Sequence, residues 1–172
     1  MRSATAPPVP RRLLGAAALA LALTSTSGCS VPTDAVAGIS VTADGRLLGV
    51  MMVCGHRIDG ASLYIRESAA VSPTVGRWTA DRPLTRGLTT WPLDSPAPTP
   101  GWTTDKAPAP LHPQAPYAFS GWTKDNSWSS ARVSFTLADL AGLTPGEVRY
   151  EATGSAVTAP LAEFEAKACR HE

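Results

Sequence analysis

The chain has 172 residues, 44% of them hydrophobic and 17% charged, with a formal net charge of +1. This length and hydrophobic content suit about one domain with a real core. The charged residues form no basic stripe and no acidic block, so the composition argues against nucleic acid as a partner.

The first 28 residues have the pattern of an export signal. Arg2, Arg11 and Arg12 precede an apolar run over 13–23, and small residues follow it. That run is far shorter than the roughly 20 residues that a membrane-spanning helix needs. The sequence therefore predicts a signal peptide over 1–28. The Arg11-Arg12 pair leaves both general secretion and twin-arginine export open.

The end of this signal carries the most informative residues of the chain, Ser27-Gly28-Cys29. They resemble the lipobox of bacterial lipoproteins, although Thr26 stands where that family usually has Leu. The resemblance implies cleavage between Gly28 and Cys29, a diacylglyceryl group with palmitate-type chains on the Cys29 thiol, and an anchor at the outer face of the cell membrane. An ordinary secretory signal, with a freely secreted product, is the alternative.

Removal of the signal would leave 144 residues with twelve basic and fourteen acidic side chains. Ala, Pro and Arg are abundant, which is similar to actinobacterial-type lipoproteins. We expect a lipidated tether over 29–36 and one extracytoplasmic β domain over 37–172. Two acyl chains would hold that domain at the membrane where a single chain binds only transiently.

The sequence predicts short strands in the first half of the expected domain. Alternation over 38–42, an apolar run over 46–54 and a third segment at 62–66 predict strands, with turns at Asp44-Gly45 and Asp59-Gly60. Weaker strand patterns cover 75–80 and 88–93.

Seven prolines fall within 94–116. Because proline lacks a backbone donor, this density predicts a long surface loop with polyproline character rather than sheet or helix. Loops of this length inside a domain are unusual and are often functional.

The second half predicts strands at 117–122, 132–137 and 146–153, and a helical turn within 138–143. At 161–169, helix propensity competes with alternation, and the alternation favours a closing strand. Many short strands with turns between them predict an all-β fold, an antiparallel sandwich. The segment 140–150 resembles the fibronectin type III pattern, which implies an immunoglobulin-like sandwich with Tyr150 as a tyrosine corner.

The predicted export also bears on the cysteines. With Cys29 assigned to lipid, Cys54 and Cys169 remain, and an oxidising compartment favours a disulfide between them. Two free thiols are the alternative. A redox or metal site would need closer spacing or more ligands, so no metal or cofactor is predicted.

The motif Trp-Thr-x-Asp occurs three times, beginning at Trp78, Trp102 and Trp122. One interpretation is mechanical, because Trp and Thr favour strands and Asp favours turns. The other is an aromatic surface for a carbohydrate or a peptide. Five residues are candidates for that surface: Trp78, Trp91, Trp102, Trp122 and Trp128.

The histidines give little support for catalysis. His56, His112 and His171 are not at metal-ligand spacing. A hydrolase built on His56 and Asp59 is a weak alternative, because the chain has no Gly-x-Ser-x-Gly turn. No catalytic residue is therefore predicted. We expect a non-catalytic binding or scaffolding role at the cell envelope, with an envelope protein, a peptide or a glycan as partner.

Overall fold

The computed structural model describes residues 30–66, 72–95 and 98–170. The predicted signal peptide, its cleavage position at Gly28 and Cys29, and the terminal His171 lie outside the described residues. Strands hold 52% of the described residues and helices 10%, which confirms the β-rich class.

Eleven strands are described: β1 Thr33–Val41, β2 Leu47–Val53, β3 Ile58–Ile65, β4 Thr74–Leu84, β5 Gly87–Pro92, β6 Trp102–Lys106, β7 Tyr117–Trp122, β8 Ser129–Ala131, β9 Val133–Phe135, β10 Glu147–Ala152 and β11 Ser155–Pro160. Two helices accompany them, α1 Leu137–Leu140 and α2 Leu161–Lys167, and a 3₁₀ turn at Ala168–Arg170 follows α2.

All eleven strands join one sheet. Its main path is β11-β10-β1-β8-β7-β3-β4-β6, with β2 on the other edge of β1, β5 beyond β2, and β9 on β7. The β1–β8 pair is parallel, so the sheet is mixed. It curls into a half-barrel and is not clearly the antiparallel immunoglobulin-like sandwich that the sequence suggested.

The main core fills the concave side of this curled sheet. Trp91 of β5 and Trp102 of β6 stack there with ring centroids 3.9 Å apart, which joins two strands that do not pair with each other. Phe119 lies against Trp91. Aromatic stacking thus closes the side of the half-barrel where backbone pairing is missing.

A second core cluster lies on the opposite side of β1 and β10, under α2. Phe164 of α2 is fully buried and meets Tyr150 edge to face at 4.8 Å. The prediction of a closing strand at 161–169 is therefore wrong. A helix forms because these residues favour it and because one turn brings Phe164 onto the sheet, while Lys167 pairs with Glu163 on the outside.

Three further boundaries differ from the sequence prediction. Asp59-Gly60 is not a turn but lies inside β3, with Asp59 buried. The segment 94–116 is not all loop, because its proline-free stretch forms β6 at the edge of the sheet. The predicted tether over 29–36 is too long, since β1 begins at Thr33 and buries Ala35.

Other local predictions are confirmed. Asp44-Gly45 makes the β1–β2 turn, where Gly45 adopts a positive φ of 78°. The predicted helical turn forms as α1, capped by Thr136, whose hydroxyl accepts the Asp139 amide. In the part of the chain that is described, no helix has the length and apolar character to cross a membrane.

Candidate functional site

The predicted disulfide is present. Cys54 follows β2 and Cys169 lies in the 3₁₀ turn after α2, with Cα atoms 5.4 Å apart. The bond joins residues 115 positions apart and ties α2 to the sheet. It occupies both cysteines that follow Cys29 in the sequence.

The tryptophans divide into two groups. Trp78, Trp91 and Trp102 are core residues with at most 8% of their surface exposed. They cannot offer a ring face to a sugar without unpacking the half-barrel, which favours a role in core packing for these three. Trp122 and Trp128 are half-buried at the surface and remain candidates.

Trp122 points to the convex side of the sheet. Its ring lies over Gly60, where any Cβ would meet the indole at 2.5 Å, and its indole N–H donates to the Ser62 hydroxyl at 3.0 Å. The Arg77 guanidinium covers the other side, 4.0 Å from the ring centroid. Contacts with Gly60 and Arg77 therefore cover part of the indole, and the rest of this half-buried ring borders solvent.

A polar cleft of about 610 Å³ surrounds Trp122. Its lining offers hydroxyl, carboxylate, guanidinium, ammonium and amide groups: Arg77, Thr79, Asp105, Trp122, Thr123, Lys124 and Asn126. Such a mixture can hydrogen-bond a polar ligand such as a sugar or a peptide backbone.

Trp128 belongs to a neighbouring surface, which we call the His56 end and which shares Thr123, Lys124 and Asn126 with the cleft. It comprises residues 54–57, 123–129 and 168–170, where β1 and β8 begin. The His56 ring stacks on Trp128 at 3.6 Å between centroids, and its Nδ1 lies 2.6 Å from the Asp34 carboxylate. The backbone N–H of His56 also donates to Asp34.

Charged side chains at the His56 end are linked to one another by shared ion pairs and hydrogen bonds. Arg57 donates to Asp125 at 2.7 Å and lies 3.5 Å from Asp59. The Lys124 amide donates to the buried Asp59 at 2.8 Å. Hydrogen bonds from the Ser127 hydroxyl and amide lower the pKa of Asp125 to about 2 from its ordinary 3.8.

This geometry changes the hydrolase hypothesis. The carboxylate beside His56 is Asp34, not the predicted Asp59, and sequence distance hid that partner because it lies 22 residues away on β1. Among the described residues, no serine, threonine or cysteine side chain hydrogen-bonds the His56 ring. An acid–imidazole pair without a nucleophile can position a ring or carry a proton, but it does not form a triad.

The tyrosine expected to form a corner does not do so. Tyr150 packs on Phe164. The hydroxyl that binds backbone instead belongs to Tyr117, which accepts the His112 N–H at 2.6 Å. This bond fastens the proline-rich segment to β7.

No ligating cluster of three or more His, Cys, Asp or Glu side chains occurs within residues 30–66, 72–95 and 98–170. Comparison with protein-family models, with curated proteins and with solved structures finds no significant match. The functional interpretation therefore rests on the residues themselves.

Proposed function

We propose that this chain is an exported lipoprotein, held at the outer face of the cell membrane by a diacylglyceryl group on Cys29. Its β domain would bind or scaffold a partner at the cell envelope without performing chemistry. The carrying observation is the Cys54–Cys169 disulfide. Because it suits an oxidising compartment and uses the other two cysteines, it leaves Cys29, directly after the signal, as the remaining thiol.

The experiment is mass spectrometry of the mature N-terminus from the native host. We expect the chain to begin at Cys29 and to carry a diacylglyceryl group. A Cys29→Ala variant is the matched control, and we expect it to lose both the lipid mass and the partition into detergent micelles. A native product found in the medium with an unmodified N-terminus would refute the anchor and support secretion.

The second candidate is recognition of a glycan or a peptide at the cleft around Trp122. Its support is the mixed polar lining beside an indole edge, which suits hydroxyl-rich ligands. Titration with cell-wall glycans and peptides should change tryptophan fluorescence, and Asp105→Asn should weaken that response. Trp128→Phe, outside the cleft, is the control. If no glycan or peptide changed the tryptophan fluorescence, this candidate function would be refuted, but the proposed lipid anchor would not be affected.

Hydrolysis at His56 is the weaker hypothesis. Its ring is stacked on Trp128 and held by Asp34, and none of the described serine, threonine or cysteine side chains hydrogen-bonds it as a nucleophile would. A fixed and solvent-facing imidazole suits recognition at a surface equally well.

A further inference from the structure

The segment that connects Cys29 to the folded domain is very short. The Pro32 carbonyl accepts the Ser129 N–H at 2.9 Å, and the Ser129 hydroxyl lies 3.2 Å from the Pro32 carbonyl and 3.4 Å from that of Val31. Thr33 then pairs with Ser129 as β1 begins. Ser30 is the one residue between Cys29 and this fastened segment.

Chain length sets the consequence. Two residues of extended chain span at most about 7 Å, so Cys29 lies within that distance of Val31 in any conformation. A diacylglyceryl group on Cys29 sits in the bilayer at headgroup level. The surface around Ser129 therefore has to lie close to the headgroups, because no flexible linker separates them.

Resting on the proposed anchor, we propose that the His56 end lies directly against an anionic phospholipid surface. The domain would then stand in one orientation on the membrane instead of moving freely on a tether. The occupant of this surface is the bilayer that holds the lipid.

Strand register places several loops at this end. Ala35 near the start of β1 pairs with Val53 at the end of β2, and Val53 pairs with Gly87 at the start of β5. The disulfide brings Cys169 to Cys54. The residues next to these positions, in 55–57, 85–86 and 168–170, therefore share the end where the anchor would emerge.

Half-buried Trp128 and the exposed basic side chains at this end suit phospholipid headgroups. Trp128 is an amphipathic residue of the kind that favours membrane interfaces. His56, which stacks on it, is one of five exposed basic residues in the loops at this end of the sheet: His56, Arg57, Arg86, Lys124 and Arg170. Because the Debye length at physiological ionic strength is about 8 Å, any of these basic groups that the short reach from Cys29 brings up to the headgroups would interact with anionic lipids.

The acidic side chains at this end are already engaged. Asp34 accepts His56, Asp59 accepts the Lys124 amide, and Asp125 accepts Arg57 and Ser127. Arg57 therefore offsets part of the charge of Asp59 and Asp125. Among the described residues, Arg86, Lys124 and Arg170 are the cations at this end that no ion pair engages and that can meet anionic headgroups.

Lysine chemistry gives a direct test, because residues 29–172 contain three lysines, Lys106, Lys124 and Lys167. Lys124 is exposed at the His56 end, whereas Lys106 pairs opposite Arg77. The Lys106 ammonium donates to the Thr74 carbonyl, and Thr74 pairs with Tyr64, six residues along β3 from Ile58, so this ammonium lies roughly 20 Å from the end of the sheet where β3 begins. The two side chains therefore report on the two ends of one domain.

The mature lipidated protein, purified from membranes, is placed in vesicles of phosphatidylcholine and phosphatidylglycerol. Its lysines are labelled with an amine-reactive acyl reagent and quantified by mass spectrometry. We expect Lys124 to label several-fold more slowly than in the Cys29→Ser protein mixed with the same vesicles, and Lys106 to label equally in both. Insertion of ten Gly/Ser residues between Ser30 and Val31 should restore Lys124 labelling while the anchor stays intact.

Equal Lys124 labelling in anchored and unanchored protein would overturn the inference, as would protection that survives the insertion. If Lys124 were protected equally well on vesicles of phosphatidylcholine alone, the proposed preference for anionic lipid would be refuted, while the fixed orientation on the membrane would stand. Absence of the lipid, measured beforehand by intact mass, would instead refute the proposed anchor. The two failures are therefore distinguishable.

Discussion

The Thr79 hydroxyl donates a hydrogen bond of 2.6 Å to the Asp105 carboxylate, across the pair of strands β4 and β6. The relation is reciprocal, because Thr103 donates to Asp81 at 3.1 Å and Thr79 lies directly opposite Thr103. Two copies of Trp-Thr-x-Asp thus face each other in antiparallel register. Their tryptophans point into the core, and their polar residues fasten the edge strand β6 from outside.

We expect this reciprocal arrangement to be measurable as coupling. Thr79→Val and Asp105→Asn should each lower the free energy of unfolding, and a double-mutant cycle should give roughly 0.5–1 kcal/mol of coupling between them. Thr79 and Asp81 lie on one strand and do not hydrogen-bond each other, so a cycle on that pair is the control. Denaturant unfolding gives the values, and a coupling indistinguishable from the control would contradict the arrangement.

Loss of the disulfide should have the largest effect on stability. Cys54→Ala with Cys169→Ala opens a loop closed over 115 positions, for which chain entropy gives about 4–5 kcal/mol. Urea unfolding of the oxidised protein, the reduced protein and the double variant measures this loss. We expect the last two to agree, and a double variant as stable as the oxidised protein would show that the bond does not constrain the chain.

Asp125 gives the stability a defined acid dependence. Because the Ser127 hydrogen bonds hold its pKa at about 2, the folded protein favours the ionised carboxylate more than the unfolded chain does. This stabilisation is complete above the ordinary pKa near 3.8 and is lost as the pH falls from there towards 2. Ser127→Ala should raise the pKa, which NMR titration of the Asp125 carboxyl carbon can follow. An unchanged midpoint in the variant would show that Ser127 is not the cause.

The sequence predicted best where local chemistry alone decides the structure. Asp44-Gly45 allows a tight turn wherever it lies, and the alternation at 133–135 forms β9. The Cys54–Cys169 pair was predicted by counting cysteines in a chain for which the sequence predicts export. The helix at 161–167 was missed because alternation and helix propensity conflict there, and burial of Phe164 settles the conflict.

The candidate site depended on contacts between distant residues, which one sequence does not reveal. Asp34 and His56 meet because β1 and β2 pair, and Trp128 joins them through the parallel β1–β8 contact. The five tryptophans look alike in the sequence, yet three of them lie on the strand faces that point into the core and are therefore buried. Trp78 and Ala80 are both buried, two residues apart on β4, but the weak strand pattern at 75–80 did not show which face is the core.

That division of the tryptophans predicts how the protein responds to acrylamide. Quenching should come mainly from Trp122 and Trp128, because Trp78, Trp91 and Trp102 are at most 8% exposed. Replacing Trp122 and Trp128 together by Phe should therefore remove most of the quenching while three indoles still emit. Trp91→Phe is the matched control, and it should leave the fraction of tryptophan fluorescence that acrylamide can quench nearly unchanged. In denaturant every variant should quench in proportion to its remaining tryptophans, which separates burial from intrinsic differences. Strong quenching that persists in the double variant would place at least one of the three core indoles at the surface and would contradict the stacked closure of the half-barrel.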